Sequence, residues 1–487
     1  MGTFLQIRIK FLEEQNRLLI NNNTLLTKEN SLLRETVSLL EKALANQQKK
    51  TCLLEDQLGK QQQQINTLKE KLNLNSTNSS LPPSRDLYRK KRLNKAKSGR
   101  KVGGQPGHIG STYQPMVADK IIKLKPEACV CGGTIKLSDQ FTACQRVEIP
   151  PIKPYVTEYR RYHARCLSCD RKIVAPLPEE AGKDLLGPHA KAIICALNGL
   201  SQNSKREVQA ILKDIFHLPI SLGLVSDTAK RTNKQLQTHY QHIQEQIKKS
   251  EYLHIDETSH KSKAEKGWAW IFTNKEYSLL KLTSSRGKQV LEKVLGKYTG
   301  KVISDRYGAY NYFKPERRQI CWSHLARDFE RFAHSLDKRL SVKGARMVEI
   351  AKELFTIDKA VKREQITEAY FLRRISKLQK ELAYLFKQLL RIRGIPQAHR
   401  VVRRMVNSFA MMWRFVKDKT IEMTNNLAER QLRRYVIYRK KLLFTQSSWG
   451  NEFVERIQSL YLSCRLSQSS AFAQLSQCIK ATSMVEA

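Results

Sequence analysis

The beginning of the chain carries leucines at seven-residue intervals. They form one column of a heptad pattern, made of Leu12, Leu19, Leu26, Leu33, Leu40, Leu54 and Leu68, with Gln47 and Gln61 in the remaining places. The second column reads Asn16, Asn23, Asn30, Val37, Leu44, Thr51, Leu58, Ile65 and Leu72. A sustained seven-residue repeat predicts a left-handed coiled coil, and asparagine in its core favours one register and few strands. We expect residues 1–75 to pair protomers into a homodimer; the alternative is a long helix that folds back on the protein's own core.

The heptad pattern stops before a segment rich in asparagine and serine that contains Pro82 and Pro83, which disfavour regular structure. A basic run follows, and it includes Arg89, Lys90, Lys91 and Arg92. Such a composition predicts a flexible basic linker over residues 76–118. We expect its side chains to bind DNA phosphates without base specificity, although a solubilising linker has the same composition.

Two close cysteine pairs follow the linker. Cys129 and Cys131 precede two glycines, and Cys166 and Cys169 stand at C-x-x-C spacing. Thiolates in two such pairs are typical ligands of structural Zn²⁺, although the first pair is one residue tighter than usual. Residues 145–151 and 155–159 alternate in the manner of strands. We therefore predict a small zinc-binding β module over residues 119–180.

Residues 181–250 have helical periodicity. An amphipathic helix is predicted from Lys205 to Phe216, and a second helix from Ser221, as N-cap, through Leu236. The second helix carries Lys230 and Arg231, so the pair is typical of a helix-turn-helix that contacts DNA. Two packed helices without a DNA contact fit the same pattern.

The pattern changes to short apolar strands after residue 250. We predict a strand over 252–255 that ends on Asp256, a hairpin over 267–273 and 277–282, a helix near 290–295, and a strand over 301–304 that ends on Asp305. Two such aspartates and one carboxylate from a later helix can converge on two divalent cations that act on a phosphodiester. Oxygen ligands of this kind favour Mg²⁺. Each aspartate alone fits a cap or a turn equally well.

Charge adds a partner to this picture. The chain has a formal net charge of +42, and a polyanion that offsets it is most simply nucleic acid. There is no apolar run of the ~18 residues that a membrane span needs. We find no secretion signal at the N-terminus, and the cysteines are too sparse for a disulfide framework. We therefore expect a reduced, intracellular protein without a membrane partner.

Several ordered motifs resemble those of the insertion-sequence 66 family of transposases. They are Asp256-Glu257-Thr258 with Trp268-Ala269-Trp270, Asp305 to Tyr310, Cys321 to Leu325, Asn425 to Arg430, Arg439 to Phe444 and Ser447 to Gly450. Upstream, Ser80 to Ser84, Gly99 to His108 and the cysteine module resemble the N-terminal part of the same family. The similarity extends from about Leu81 to Leu466.

The resemblance implies a multidomain protein with an α/β ribonuclease-H-like core over residues 251–466 and an Asp-Asp-Glu catalytic triad. The triad would be Asp256, Asp305 and Glu429, holding Mg²⁺ or Mn²⁺. The long step to Glu429 predicts a mostly helical insertion at about 330–420, in which Leu378, Leu382, Leu385 and Leu389 recur with the helical period. Residues 467–487 match no motif of the family and are assigned to a C-terminal tail.

The sequence also predicts where four other residues near the triad point or what they contact. Glu257 follows Asp256 on an extended strand and should point away from it. Arg433 and Lys440 lie at helical spacing after Glu429, so both can face DNA phosphates. For His324 we favour a buried, hydrogen-bonded histidine beside Trp322 over a metal ligand or a transfer-state contact.

Taken together, these features predict a DNA transposase that cleaves strands and transfers them to target DNA. The alternative is a catalytically inert dimeric DNA-binding protein, acting as a regulator or surviving as a relic; a third option is a nuclease that hydrolyses DNA without joining it. We expect DNA at the element ends and the target, accessory proteins of the same element as possible partners, and a cytoplasmic, nucleoid-associated location in a prokaryote.

Overall fold

A computed structural model describes residues 2–72, 103, 114–178, 181 and 184–483. The chain divides into two units. One unit contains the first helix together with residues 329–346, and the other contains the remaining described residues. The predicted contacts of Arg89, Lys90, Lys91 and Arg92 lie outside the described residues.

Helix α1, Gly2–Leu72, is a single helix of 71 residues. The helix predicted from the heptads is therefore confirmed, whereas its pairing with a second chain stays a prediction. Every leucine of the first heptad column is more than half exposed, from 53% at Leu26 to 69% at Leu40. An apolar stripe of this length becomes buried only when another helix packs along it.

Residues 114–178 contain little regular structure. Strands β1, His163–Arg165, and β2, Lys172–Val174, form an antiparallel pair with His163 opposite Val174. The strands predicted over 145–151 and 155–159 are wrong, since these residues form neither strand nor helix. Alternating side chains favour a strand only where a neighbouring strand can pair with it, and in the structure these segments pair with none.

Four helices precede the sheet: α2, Pro188–Cys195, α3, Lys205–Asp214, α4, Leu222–Gln235, and α5, Gln237–Lys249. A π-helical turn, Ala196–Leu200, continues α2. The predicted helix pair is confirmed, including the Ser221 cap, whose hydroxyl accepts the N–H of Leu224. Helix α3 ends at Asp214, sooner than the predicted Phe216, and Ile215 after it is exposed.

The sheet contains strands β3, Tyr252–Ser262, β4, Glu265–Thr273, β5, Ser278–Thr283, β6, Lys301–Ser304, and β7, Arg318–Ile320. Their order is β5-β4-β3-β6-β7. Strands β3, β4 and β5 are antiparallel neighbours, whereas β6 is parallel to both β3 and β7. The predicted hairpin and the strand before Asp305 are thereby confirmed.

Strand β3 is longer than predicted, because it continues past Asp256 to Ser262. The cause is β4, which pairs with β3 from His254 to Ser262. The parallel pairing with β6 stops at His254. Asp256 therefore lies inside an antiparallel strand, just beyond the last parallel pair, rather than at a strand end.

Helices cover both faces of the sheet. Leu253, Ile255, Trp270 and Phe272 pack with α5 and with α6, Gln289–Leu295, which confirms the helix predicted there. Ala269, Ile271 and Leu280 pack on the opposite face with α12, Asn426–Lys441, and α13, Ser448–Leu466. The alternation of side chains along β4 thus divides that strand between two apolar cores.

Helix α13 also covers the outer edge of the sheet. Three N–H groups of edge strand β5 point at this helix: Ser278 donates to Ser463 Oγ at 3.0 Å, Leu280 to Ser459 Oγ at 2.9 Å and Leu282 to Glu455 Oε1 at 2.7 Å. These three acceptors recur every four residues and so lie on one face of α13. They occupy backbone donors that would otherwise be free to pair with another strand.

Helices occupy the chain between β7 and α12. They are α7, Trp322–Ala333, α8, Lys338–Lys362, α9, Glu368–Arg391, α10, Pro396–Asn407, and α11, Arg414–Lys417. The leucines predicted to follow the helical period, Leu378, Leu382, Leu385 and Leu389, are all buried in α9. None of the described helices combines the length and the apolar composition that a membrane span requires.

The segment predicted as a C-terminal tail contains helix α14, Ala471–Ser483. Leu475 and Ile479 are fully buried and pack with Ala192 of α2 and with Ile457 and Leu460 of α13. The sequence analysis missed this helix because the segment is rich in serine. Among its described side chains only Leu475 and Ile479 are fully buried, and these two lie one turn apart and give a weak helical pattern.

We expect Leu475→Ala to lower the free energy of unfolding by about 2–5 kcal/mol, since it removes a fully buried side chain. Urea unfolding followed by tryptophan fluorescence measures the change. Gln477→Ala, at an exposed position of the same helix, is the control and should change stability by less than about 0.5 kcal/mol. Equal effects from the two variants would contradict the packing of α14.

Candidate active site

Asp256 and Glu257 are neighbours in β3 but face opposite sides of the sheet. On the side of Asp256, Thr258 accepts a hydrogen bond from Arg439 of α12 at 3.0 Å. On the side of Glu257, the carboxylate accepts hydrogen bonds from Tyr310 and from Arg286 Nε at 2.9 Å. Glu257 is thus occupied by a structural ion pair, whereas Asp256 is directed toward the helix that carries Glu429.

Asp305 follows β6 directly, beside the point where β3 and β6 cease to pair. Its Oδ1 accepts the N–H of Tyr307 at 2.8 Å, and its carbonyl oxygen accepts a hydrogen bond from Arg318 at 2.7 Å. These contacts fix the turn after the strand. They leave Oδ2 of Asp305 without a hydrogen-bond donor among the described residues.

Asn425 attaches the start of α12 to β3. Its side-chain N–H donates to the carbonyl oxygen of Ile255 at 2.8 Å, and its Oδ1 lies 3.2 Å from Nδ1 of His254. Its backbone N–H donates to Cys321 Sγ at 3.1 Å. Asn425 is fully buried, and the N–H of Glu429 donates to its carbonyl oxygen at 3.2 Å in the first turn of α12. The position of Glu429 therefore depends on this asparagine.

The three predicted carboxylates share one electrostatic environment. Burial raises the pKa of Asp256 well above its ordinary value, and the charges of Glu257, Asp305 and Glu429 raise it further. Burial and the charge of Asp305 also raise the pKa of Glu257, against the opposing effects of Tyr310 and Arg286. An opposite charge placed among these acids would relieve their repulsion.

Glu429 is not gathered tightly with the two aspartates. Among the described residues, the one group of three potential metal ligands within 4.8 Å of one another is Cys321, His324 and Glu429. Oε1 of Glu429 lies 3.6 Å from Nδ1 of His324 and 3.4 Å from Nη2 of Arg327. Glu429 thus lies beside the start of α7, and the charges of the two aspartates reach it only through space.

His324 differs from its predicted role. Its Nδ1 is buried and has no hydrogen-bond partner among the described residues, so the expected hydrogen-bonded histidine is wrong for this nitrogen. Sequence reasoning assigned no individual functional role to Cys321 or to Arg327. The available signal was the Cys-x-x-His spacing at the start of a helix, which places both side chains on one face.

The residues predicted to contact DNA differ in whether they are already ion-paired within the protein. Arg433 and Lys440 are exposed on α12, and Lys230 is exposed on α4. Arg231 is exposed but paired, since it contacts Asp184 and lies 2.8 Å from Asp227. Three of these four cations are therefore accessible to phosphate without first breaking an ion pair given by the structure.

The four predicted zinc ligands come together only in pairs. The sulfurs of Cys129 and Cys131 are 3.2 Å apart. The hydrogen bonds of Cys129 and of the Gly133 backbone lower the pKa of Cys131, and backbone N–H groups at Ser168 and Cys169 lower that of Cys166. Within residues 114–178, no three of these sulfurs lie within 4.8 Å of one another.

A mixed sheet covered by helices, with acidic side chains beside a basic helix, defines an α/β domain suited to phosphate chemistry. The sequence of residues 202–453 matches the Transposase IS66 family, and this match covers about half of the chain. The protein belongs to that family, which confirms the resemblance found in the sequence. Residues 25–114 match a family of unknown function, DUF6444.

Two relatives come from Sinorhizobium fredii (strain NBRC 101917 / NGR234). One, named Uncharacterized protein y4qI, is 23% identical over 287 residues, which cover 53% of this chain and 52% of the relative. The other, named Uncharacterized protein y4hP, is 21% identical over 383 residues, covering 72% of this chain and 69% of the relative. The chain thus spans about half the length of the first relative that it matches.

We expect Asn425→Ala to lower the free energy of unfolding by about 1–3 kcal/mol, because it leaves buried partners on β3 without a hydrogen bond. Chemical denaturation measures this loss. The adjacent Asn426→Ala is the control, since Asn426 is exposed and its side chain accepts only a 3.3 Å hydrogen bond from Ser323. A larger loss for Asn426→Ala than for Asn425→Ala would contradict the role assigned to Asn425.

Proposed function

We propose that the protein is a DNA transposase that cuts and joins strands at Asp256, Asp305 and Glu429. The observation that supports this most is the placement of the three carboxylates on β3, directly after the neighbouring parallel strand β6, and in the first turn of α12, which Asn425 joins to β3. Membership of a transposase family makes DNA the substrate for such a site. The third carboxylate comes from a helix more than a hundred residues downstream, a longer step than a bare core needs, and the proposed helical insertion accounts for the difference.

We assign the five-stranded sheet and its covering helices to a ribonuclease-H-like core. This assignment is supported by one aspartate on the central strand β3 and a second directly after the parallel strand β6. The domain boundaries belong to the same proposal: coiled coil 1–75, basic linker 76–118, zinc module 119–180, helical region 181–250 and catalytic core 251–466. The helical insertion lies at about 330–420, and α14 completes the fold within 467–487.

The residues present suit a hard divalent cation. Asp256, Asp305 and Glu429 offer carboxylate oxygens, which Mg²⁺ and Mn²⁺ prefer, and the charges of Asp305 and Glu429 raise the pKa of Asp256, an effect that a cation among the three would oppose. Bound there, Mg²⁺ would neutralise the phosphodiester and activate the attacking oxygen. Glu429 would complete the site by turning from Arg327 toward the aspartates, about the start of α12 that Asn425 holds in place.

The proposed chemistry has two steps at one site. In cleavage, the oxygen of water bonds to phosphorus and the 3′ oxygen of the element leaves as a hydroxyl. In transfer, this hydroxyl bonds to a phosphorus of the target strand, and the target's own 3′ oxygen leaves. Both are in-line displacements that need no covalent link to the protein.

DNA would be held along the exposed face of α12. Arg433 and Lys440 follow Glu429 on that face and would contact backbone phosphates near the cut. Lys230 of α4 and the basic residues Arg89, Lys90, Lys91 and Arg92 would contact more distant phosphates. Arg231 would join them only by leaving Asp184 and Asp227.

Cys129, Cys131, Cys166 and Cys169 would hold a structural Zn²⁺. Backbone N–H groups directed at Cys131 and Cys166 favour their thiolate forms, and thiolates are the ligands that zinc selects. The proposal also includes a homodimer formed through α1, accessory proteins of the same element, and a nucleoid-associated location in a prokaryotic cell. A catalytically inert DNA-binding protein is the competing function that the following test separates.

We expect Asp256→Asn, Asp305→Asn and Glu429→Gln each to lower Mg²⁺-dependent nicking of a labelled duplex carrying the element's end by at least about 100-fold, because each removes a metal ligand. DNA affinity, measured by gel shift, should fall little. Strand joining to a target plasmid distinguishes a transposase from a simple nuclease. Nicking that survives in Asp305→Asn would contradict the proposed site.

Glu257→Gln is the matched control for this series. It alters the carboxylate next to Asp256, but on the other face of the sheet, where it binds Arg286 and Tyr310. We expect it to retain nicking while its thermal midpoint falls. Wild-type protein that binds DNA but fails to nick it with Mg²⁺ or Mn²⁺ would favour the inert DNA-binding function.

We expect the double variant Leu26→Asp and Leu33→Asp to convert the dimer to a monomer, because two charges would enter the proposed apolar seam of α1. Light scattering after size-exclusion chromatography gives the mass. Ser31→Asp with Ser38→Asp places the same charges off the seam of the same helix and should leave the dimer intact. A monomeric wild type would contradict pairing through α1.

A further inference from the structure

Cys321, His324 and Glu429 bring a sulfur, a nitrogen and an oxygen to within 4.8 Å of one another. This donor set differs from the all-oxygen set of the two aspartates. Thiolate and imidazole are the ligands that Zn²⁺ selects, whereas Mg²⁺ requires oxygen. A divalent ion, one thiolate and one carboxylate also sum to zero charge, so the assembled group can remain enclosed at little electrostatic cost.

The spacing within the group suits a metal better than a direct hydrogen bond. Nδ1 of His324 lies 3.6 Å from Oε1 of Glu429, which is beyond a normal N–H···O separation. Two such ligands on a tetrahedral zinc are separated by roughly 3.3–3.4 Å, given metal–ligand bonds of about 2.0–2.1 Å. The buried Nδ1 has no hydrogen-bond partner among the described residues, so its lone pair is available to a cation.

Two of the three ligands are held in place by the fold. Cys321 is fully buried, its N–H donates to the carbonyl oxygen of Ser304 at 2.9 Å, and its Sγ accepts the N–H of Asn425 at 3.1 Å. His324 follows in the first turn of α7, on the face of that helix that also bears Arg327. Little rearrangement is therefore needed beyond moving Glu429 from Arg327 to the ion.

We propose that Cys321, His324 and Glu429 form a second metal site, selective for Zn²⁺, that withdraws Glu429 from the proposed catalytic triad. The inhibitory part rests on the proposed function, because it assigns Glu429 to the Mg²⁺ site. One carboxylate serves the two sites in turn. Zinc bound at the start of α7 holds Glu429 on that side, whereas Mg²⁺ between the aspartates draws it across. Zinc and magnesium thereby compete for the same side chain.

Zinc content of the full chain tests the site without any need for activity. We expect protein that has been equilibrated with Zn²⁺ and freed of loose ion to lose one bound zinc per chain on Cys321→Ser, as measured by elemental analysis. Cys195→Ser, at a fully buried thiol that packs in the core with α13 and α14, is the control and should keep the wild-type content. The proposed ligands Cys129, Cys131, Cys166 and Cys169 are unchanged in both variants, so they cancel from the comparison. Equal zinc in wild type and Cys321→Ser would overturn the site.

Inhibition tests the competition. With the nicking of each protein expressed relative to its own zinc-free rate at fixed Mg²⁺, Cys321→Ser and His324→Gln should need about tenfold or more zinc than wild type for half-inhibition. Raising Mg²⁺ should shift the wild-type inhibition curve to higher zinc. If thermal melting shows that Cys321→Ser does not fold, His324→Gln takes its place in both tests. A variant that loses its zinc but is still inhibited by zinc as wild type is would overturn the regulatory role. A wild-type protein that never nicks DNA would count against the proposed function alone, because the zinc content still tests the second metal site.

Discussion

The candidate site depends on one buried asparagine. Asn425 donates to the backbone of β3, contacts His254 on the same strand, and gives its own N–H to the sulfur that precedes α7. Three separate parts of the chain, carrying Asp256, Glu429 and His324, are thereby fixed at a single point. A buried amide whose nitrogen and oxygen both have partners is costly to displace, so this contact gives the site its geometry rather than merely adding to stability.

Two adjacent acids in β3, Asp256 and Glu257, have opposite electrostatic surroundings. Glu257 faces Arg286 and Tyr310, where the ion pair and the hydroxyl satisfy it. Asp256 faces other carboxylates, and its raised pKa records the cost of that placement. Natural proteins retain such uncompensated charge mainly where a ligand or an ion relieves it. The strand thus places one acid in an ion pair and the next acid among other carboxylates, on opposite faces of the sheet.

Much of the fold could be predicted because local periodicity and burial agree. The leucines of α9, the Ser221 cap and the hairpin of β4 and β5 each follow from short-range pattern. The predictions that were wrong involve partners distant in sequence. Strand β3 continues past Asp256 because β4 pairs with it, residues 145–159 remain unpaired, and α14 forms against α2 and α13. The grouping of Cys321 and His324 with Glu429 was likewise hidden, since it requires α12 to lie beside α7.

The distance along the chain between Asn425 and β3 has a consequence for synthesis. The hydrogen bond to Ile255 joins residues 170 positions apart. At about 5–20 residues per second, a ribosome releases the asparagine roughly 10–30 s after the strand. The sheet and its two aspartates therefore exist for some time without Glu429 or its anchor. A chain interrupted in that interval contains Asp256 and Asp305 but lacks α12, so the face of β3 that bears Asp256 stays uncovered until the later helix is made.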